Sequence, residues 1–225
     1  MAQFFIDEED VSLKRTADNR TDFTQGNIEK QLYCFAAPLF LSSLLQIVYS
    51  MVDMIIVGQV MGKIGLSAVS IGGDVVTLLT FLVMGFSNAG QVIIAQYLGA
   101  GKEERLGKFI GTMYSFLMLC AAFLSIVCIF LRSQILYAMQ TPPEAFTEAF
   151  AYSTVCMCGL VFIYGYNISS AVLRGMGDSV RPLVFICISA ILNIILDLIF
   201  VGPLSMGAFG AGLETVISQG TSFLT

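Results

Sequence analysis

The chain contains no histidine and no tryptophan, and only 12% of its 225 residues are charged. Without histidine, the side chain that most readily changes charge near neutral pH is missing, so any proton coupling must use carboxylates. Soluble domains carry about 25% charged residues. Here the few charges are segregated and leave long apolar runs, and 56% of the residues are hydrophobic. These shortages exclude an ordinary soluble domain and predict a polytopic membrane protein.

Sequence signatures of several other functions are also missing. No nucleophile–base set, phosphate-binding loop or dinucleotide fingerprint occurs, so we expect no enzyme and no organic cofactor. We expect no nucleic-acid partner either. Cys156 and Cys158 form a C-x-C pair, but no histidine or second cysteine pair completes a zinc site. Packing between helices is therefore the better interpretation of these cysteines.

Six apolar segments are each near or above the roughly 20 residues that a helix needs to cross a bilayer. Continuous apolar runs such as residues 116–131 exclude the alternating pattern of a β-barrel, so the predicted fold class is all-α. We place predicted spans 1 to 6 at residues 31–57, 67–98, 109–131, 148–173, 182–201 and 208–225.

Positive charge is distributed unevenly between the two sides of these spans. Nine lysines and arginines fall in the polar tail at residues 1–30, the 2–3 loop or the 4–5 loop, against Lys63 and Arg132 on the other side. Cytoplasmic loops carry the excess of positive charge, so the tail is predicted to be cytoplasmic and the location the cell membrane. Span 6 stops at Thr225 without a polar tail. We therefore expect a truncated sixth helix and a fragment, or the first half of a larger repeat protein.

Four polar residues lie deep within the predicted spans: Asp53, Asn167, Asn193 and Asp197. A carboxylate at the centre of a membrane helix costs roughly 2.5–3.5 kcal/mol on insertion scales, so such residues usually mark function. Asn193 and Asp197 share a helix face because they are four residues apart. Asn167 and Asn193 flank the 4–5 turn at similar depth, and Asp53 lies about 14 Å below the outer loop. The spacing predicts one polar cluster near mid-membrane.

The chemistry of this cluster permits two coupling ions. Buried acids such as Asp53 and Asp197 can hold a proton and release it when the site is hydrated. Carboxylate and amide oxygens are also hard ligands, so Asp53, Asn193 and Asp197 could hold Na⁺; no other metal site is predicted. The alternative is a set of interhelical hydrogen bonds that only hold the bundle together, which fits the asparagines better than the two acids.

Other residues of spans 1 and 2 are candidates for a supporting role. Gln46 and Tyr49 form a polar stripe with Asp53 on one face of span 1. Asp74 in span 2 faces either a cavity or the outer membrane interface. Pro38 removes a helix hydrogen bond and marks a bend in span 1.

Span 6 contributes one further candidate. Thr215 can face the level of Asp197, so we add its hydroxyl to the predicted coupling site. Its neighbour Glu214 is expected to point about 100° away from that face.

Several motifs, in this order and at this spacing, resemble the multidrug and toxic compound extrusion (MATE) transporters. The resemblance extends from about Asn27 to Thr225. It depends on Ala37-Pro38, Val52-Asp53, AQYLGAG at 95–101, LRGMGD at 173–178, LNIILD at 192–197 and GAGLETVISQ at 210–219.

The resemblance implies a fold and an activity. It implies the N-terminal six-helix lobe, residues 31–225, of a twelve-helix transporter whose C-terminal lobe is missing from this sequence. The implied function is antiport of H⁺ or Na⁺ against organic, often cationic, drugs and toxic compounds, with membrane lipid as the surroundings. One prokaryotic branch has a cation or proton site at residues that match Asp53, Asn167, Asn193, Asp197 and Thr215, with matches to Tyr49 nearby and to Pro38 at a helix bend.

Glu214 departs from this family pattern, because a small residue is expected beside the threonine. Two alternative functions remain open at this stage. A related flippase for lipid-linked precursors would need cationic residues in its cavity, and the predicted mid-membrane segments contain none. A non-transporting truncated membrane protein is the other alternative.

The charge distribution places the 3–4 loop at Thr141-Pro142-Pro143 outside the cytoplasm. Glu144→Cys in a cysteine-free background should therefore react with a membrane-impermeant thiol reagent in intact cells. Labelling that occurs only after lysis would reverse the predicted orientation.

Overall fold

The computed structural model describes residues 28–224, so the predicted tail lies almost wholly outside the described residues. Within this range every regular element is a helix, and the predicted all-α class is confirmed. The six helices are α1 (Ile28–Gly99), α2 (Glu103–Ala138), α3 (Pro143–Cys158), α4 (Leu160–Gly175), α5 (Val180–Phe200) and α6 (Gly207–Leu224).

Predicted spans 1 and 2 are joined in α1 by a kink instead of the expected loop. A straight helix of this length, 72 residues, would extend about 108 Å, far more than a bilayer is thick. Gly62 breaks the helix with φ 65° and ψ −158°, a backbone conformation that residues with a Cβ atom rarely adopt. We call residues 28–61 the first arm and residues 63–99 the second arm. The helical backbone continues through Pro38, so the only non-helical residue within α1 is Gly62.

Predicted span 4 is divided into α3 and α4 by Gly159, and the two helices are bent by 55°. The bend was not anticipated, because a lone glycine in an apolar segment does not distinguish a break from a continuous helix. Tyr152 of α3 and Asn167 of α4 consequently reach the same cavity from two differently inclined helices.

Three described helices are each long and apolar enough to cross a membrane: α1, α2 and α5. The bent pair of α3 and α4 adds a fourth when it is counted as one span. The kink in α1 divides that helix into two arms that are each longer than one crossing requires. α6 is short and carries Glu214, Ser218 and Gln219, so composition alone does not mark it as a span.

The largest apolar core joins the second arm, α2 and α4. Tyr164 of α4 is fully buried there, and its hydroxyl donates to the backbone carbonyl of Leu79 at 2.7 Å. Ser125 of α2 donates to the carbonyl of Met157 at 2.6 Å. Large apolar side chains such as Phe130 cover the outside of the bundle and remain exposed. The core residues are Val83, Ile94, Leu106, Met113, Leu117, Ala121, Leu160, Tyr164, Ile168 and Val172.

The close approach of α4 to the second arm gives a stability prediction. A Cβ atom at Gly175 would lie 2.9 Å from the backbone oxygen of Gln91 and 3.0 Å from the Ile94 side chain. Gly175→Ala should therefore force these helices apart and cost about 1–3 kcal/mol of unfolding free energy. Gly111→Ala on α2 is the control, because its Cβ would meet nothing within 4 Å. Thermal unfolding in detergent measures both, and equal melting temperatures would contradict the close approach.

Candidate functional site

A polar cavity of about 830 Å³ lies inside the bundle. Both arms of α1 contribute to its wall, together with side chains from α3, α4, α5 and α6. Because residues from Leu39 to Met54 and from Val69 to Gln91 line the same space, the two arms run beside each other along the cavity. The wall includes most of the predicted site residues: Gln46, Tyr49, Asp53, Asp74, Asn167, Asn193 and Thr215.

Asp53 and Asp197 meet from two different helices. Asp53 on the first arm lines the cavity, whereas Asp197 on α5 is fully buried immediately behind the wall. The two carboxyl groups interact directly with each other. Within residues 28–224, no side-chain or backbone N–H or hydroxyl group donates a hydrogen bond to either oxygen of Asp197 or to one oxygen of Asp53, and these oxygens are buried. Such groups are costly unless a proton or a cation compensates them.

Glu214 on α6 is the third acid of this cluster and was not expected there. Its side chain is fully buried, and it interacts electrostatically with Asp53 and Asp197. One carboxyl oxygen accepts from the Asn193 side-chain amide, and the other lies 2.8 Å from the hydroxyl of Thr215. The expectation that Glu214 points away is wrong, because a glutamate side chain is long enough to reach the neighbouring face of its helix.

The two asparagines occupy different positions in the site. Asn193 is almost completely buried and bonds to Glu214, while its own side-chain oxygen has no partner among the described residues. Asn167 lines the cavity, but its amide donates to the backbone carbonyl of Ile163 at 2.8 Å. Asn193 therefore belongs to the acid cluster, whereas Asn167 shapes the cavity wall.

Tyr49 and other polar groups of α1 belong to the same cavity wall as Asp53. Tyr49 is hydrogen-bonded to Gln46 and lies within electrostatic reach of Asp53 and Glu214. Asp74 has an exposed side chain and forms part of the cavity wall, the first of the two locations considered for it. The polar stripe of span 1, formed by Gln46, Tyr49 and Asp53, is therefore part of the cavity wall.

Arg174 is one of the nine positive charges that the sequence analysis attributes to the cytoplasmic loops, and the structure places it in the last turn of α4 and in the cavity wall. Its Nε–H donates to the side-chain oxygen of Gln91 at 3.1 Å. No sequence pattern indicates this position, because hydrophobicity locates the end of α4 only to within about one turn. The cavity thus carries acids around Asp53 and a cation at the end of α4.

The described residues contain no group of three or more histidine, cysteine, aspartate or glutamate side chains that could hold a metal ion. The three acids are therefore near one another without forming a multidentate carboxylate cage. Na⁺ would need amide or hydroxyl oxygens, such as those of Asn193 and Thr215, among its ligands.

Comparisons with known proteins agree with this architecture. The MatE family model matches residues 38–199. The probable multidrug resistance protein YpnP of Bacillus subtilis is 32% identical over 90% of this chain and 46% of its own length. The multidrug export protein MepA of Staphylococcus saprophyticus is 26% identical over 88% of this chain and 44% of its own length.

Solved structures also match. One described as the outward-facing conformation of a multidrug resistance MATE family transporter of the MOP superfamily has a TM-score of 0.83 at 25% identity. The match covers 88% of this chain and 44% of that chain. A crystal structure of MATE in the bent conformation has a TM-score of 0.82 at 25% identity, with the same coverage.

The fold and the cavity define a helical, multi-pass membrane protein with buried acids beside an internal polar space. The chain belongs to the MatE family, and the resemblance read from its motifs is confirmed. It spans about half the length of the curated relatives it matches, as one lobe of a two-lobed transporter does.

Two buried aspartates offer a matched test of what the acid cluster does to stability. Asp178 accepts from the backbone N–H groups of Val180 and Arg181 at the start of α5 and pairs with the Arg181 guanidinium at 3.2 Å. Asp178→Asn should lower the unfolding free energy by about 1 kcal/mol, because charge at a helix N-terminus is lost. Asp197→Asn should leave it unchanged or raise it, because an uncompensated buried charge is removed. Thermal unfolding at neutral pH compares them, and an equal loss in both would make Asp197 a structural residue.

Proposed function

We propose that this chain forms the N-terminal lobe of a cation-coupled antiporter, which exports organic, often cationic, compounds across the cytoplasmic membrane. The observation that carries the proposal is the pairing of Asp53 and Asp197 from two helices, with buried oxygens that accept no hydrogen bond from an N–H or hydroxyl group of the described residues. Two acids in such surroundings would hold helices together less well than apolar side chains do, because burying their charge costs free energy that helix packing does not require.

Charge balance explains why an exchangeable ion belongs in this site. Among the described residues, no lysine or arginine stands among the groups that interact with Asp53, Asp197 or Glu214. Burying an isolated carboxylate costs far more than a protein contact returns, so a proton or a small cation must neutralise it. H⁺ and Na⁺ both satisfy this requirement.

Coupling follows from competition for the same negative charge. An organic cation in the cavity is stabilised when the acids are ionised and loses that stabilisation when H⁺ or Na⁺ occupies them. An ion entering from outside would therefore weaken substrate binding and favour release. By linkage, substrate and ion oppose each other's binding by the same factor. A rocking movement of the two lobes would expose the cavity to each side in turn.

One observation supports the alternative function of a flippase, but that function is still the weaker candidate. Arg174 lies in the cavity wall and could contact an anionic group, but its guanidinium is already bonded to Gln91. A diphosphate usually requires several cationic donors. Arg174 is the only lysine or arginine among the cavity-lining residues of the described chain. The wall has two acids, Asp53 and Asp74, against this one arginine, and Asp197 and Glu214 are buried beside it, so the balance of charge favours a cationic substrate.

In the full-length transporter, Asp53→Asn and Asp197→Asn should each abolish ion-coupled export, because each removes a carboxylate that binds the coupling ion. Drug efflux under separately imposed proton and sodium gradients measures the effect and identifies the ion. Glu104→Gln is the control, since Glu104 is exposed and pairs only with Lys108. Undiminished export by both aspartate variants would contradict the proposed function.

A further inference from the structure

The cavity has a second polar region, which is centred on Arg174 and contains none of the three acids. The Arg174 Nε–H donates to the side-chain oxygen of Gln91, so this region lies between α4 and the second arm. Further along the same pair of helices, the Tyr164 hydroxyl donates to the carbonyl of Leu79. Residue numbers therefore rise together along the two helices, which run in the same direction.

Two serines lie about one helical turn from the bond between Arg174 and Gln91. Ser170 precedes Arg174 by four residues and Ser87 precedes Gln91 by four, so the two serines stand at the same level of the parallel helices. Both serines are buried and line the cavity. The Ser87 hydroxyl makes no hydrogen bond with any of the described residues. The Ser170 hydroxyl interacts with Tyr166, which also interacts electrostatically with Arg174.

The side chains of this region present hydrogen-bond donors to the cavity. A guanidinium group has five N–H donors and no acceptor, so the Gln91 amide must turn its oxygen towards Arg174 and keeps its NH₂ group as a donor. Gln91 is the only described residue that accepts a hydrogen bond from Arg174. The guanidinium, the amide NH₂ and two hydroxyls are the donors that bind an oxyanion. We call these four side chains the Arg174 subsite: Arg174, Gln91, Ser87 and Ser170.

The charge of Arg174 has no carboxylate partner in the part of the chain that the structure describes. Its guanidinium interacts with Gln91 and Tyr166. Asp178 lies four residues further along, but it pairs with Arg181 and stays outside the cavity wall. A half-buried cation without a counter-ion favours an anionic ligand, because the ligand supplies the missing negative charge.

The Arg174 subsite and the acid cluster are separate parts of one cavity. None of the three acids is among the groups that interact with Arg174. Asn167, which shares the wall of α4 with Arg174, is seven residues away, or about 10 Å of helix. This length leaves space for an organic ring system between the two regions. One molecule can therefore place an anionic group at Arg174 and direct a cationic centre towards the acids.

We infer that the Arg174 subsite binds the carboxylate of amphoteric substrates, which carry a carboxylate and a cationic centre in the same molecule. The inference rests on the proposed export function and deepens it by naming a substrate class. The acids attract the cationic centre, whereas the Arg174 subsite holds the carboxylate through charge-assisted hydrogen bonds. The cavity then distinguishes amphoteric compounds from simple cations of the same size.

Two dyes that differ only by one methyl ester provide matched probes. Rhodamine 110 has a free carboxylate beside its cationic ring system, and in rhodamine 123 this carboxylate is a methyl ester. Fluorescence polarisation gives the Kd of each dye for the full-length transporter at neutral pH, in dodecyl maltoside without lipid. The ratio of the two Kd values reports carboxylate recognition, because the dyes share the rest of their structure.

Arg174→Gln should raise the Kd of rhodamine 110 by at least about tenfold, because charge-assisted hydrogen bonds to the carboxylate are lost. The Kd of rhodamine 123 should stay the same or fall. Ser87→Ala should raise the Kd of rhodamine 110 by about threefold. Arg105→Gln is the matched control, because Arg105 is an exposed residue of α2 outside the cavity wall, and it should change neither Kd.

Gln91→Glu is a second variant that keeps the contact between the two helices. A glutamate at this position has the same length as glutamine and would pair with Arg174, which neutralises the charge of the subsite. It should reproduce the selective loss of rhodamine 110 binding, even where Arg174→Gln does not fold. Equal losses for both dyes in this variant would make the contact purely structural and overturn the inference.

Phosphate groups of lipids share the oxyanion chemistry, so phosphatidylglycerol is added to the dye-bound wild type as a separate measurement. Retention of rhodamine 110 supports a substrate carboxylate as the ligand. Displacement of rhodamine 110 alone, with rhodamine 123 still bound, would assign the subsite to a lipid phosphate and overturn the inference. A wild type that binds neither dye would also overturn it.

The outcomes separate this inference from the proposed function, because dye binding is measured without an ion gradient. Selective loss of rhodamine 110 binding in Gln91→Glu, with undiminished drug export by Asp53→Asn and Asp197→Asn, supports the subsite and contradicts ion-coupled antiport. An unchanged ratio of Kd values in Gln91→Glu, with both aspartate variants inactive, overturns the subsite and leaves the antiport function standing. A selective loss with both aspartate variants inactive supports both.

Discussion

The cost of burying carboxylates without a fixed cation governs the rest of this structure. Asp53, Asp197 and Glu214 come from the first arm, α5 and α6, and the interior of the described bundle supplies no lysine or arginine to pair with them. Apolar helices give the acids no compensation, so the bundle must leave polar space beside them. The cavity, its ring of amides and hydroxyls, and its need for an exchangeable ion all follow from this constraint.

Stability is concentrated away from the acids. The buried core joins the second arm, α2 and α4, whereas the first arm has few buried side chains and exposes large apolar groups along most of its length. In the segment that contains Asp53, packing therefore holds the helix less firmly than in the core. A helix held in this way can change its position when the charge beside it changes, at little cost to the core.

The sequence was most informative where hydrophobicity and charge act over a whole segment. Length and apolar content predicted six helical segments, and the spacing of Asn193 and Asp197 placed both on the face that meets Asp53. Local backbone geometry was less predictable. The kink at Gly62 within residues 28–99 and the bend at Gly159 each occur at a glycine. Nothing in the sequence distinguishes these two glycines from glycines within a continuous helix. The position of Glu214 was predicted wrongly because helical periodicity gives only the direction of the Cα–Cβ bond. A long side chain such as glutamate can bend from that direction and reach a neighbouring face of the helix.

Placing the acids on separate helices turns their ionisation into a force between those helices. Two like charges about 4 Å apart repel by about 4 kcal/mol at an effective dielectric constant of 20. Neutralising one of them would shift an equilibrium between two arrangements of the bundle by about a thousandfold. The three acids lie on three helices. One bound proton or cation therefore changes the repulsion between the first arm and α5, and a second bound ion changes the repulsion between α6 and both of these helices. Asn193 and Thr215 bond to Glu214 and also line the cavity, so a movement of these helices would change the cavity wall that a substrate contacts. Ion binding and cavity shape are then two descriptions of one electrostatic equilibrium.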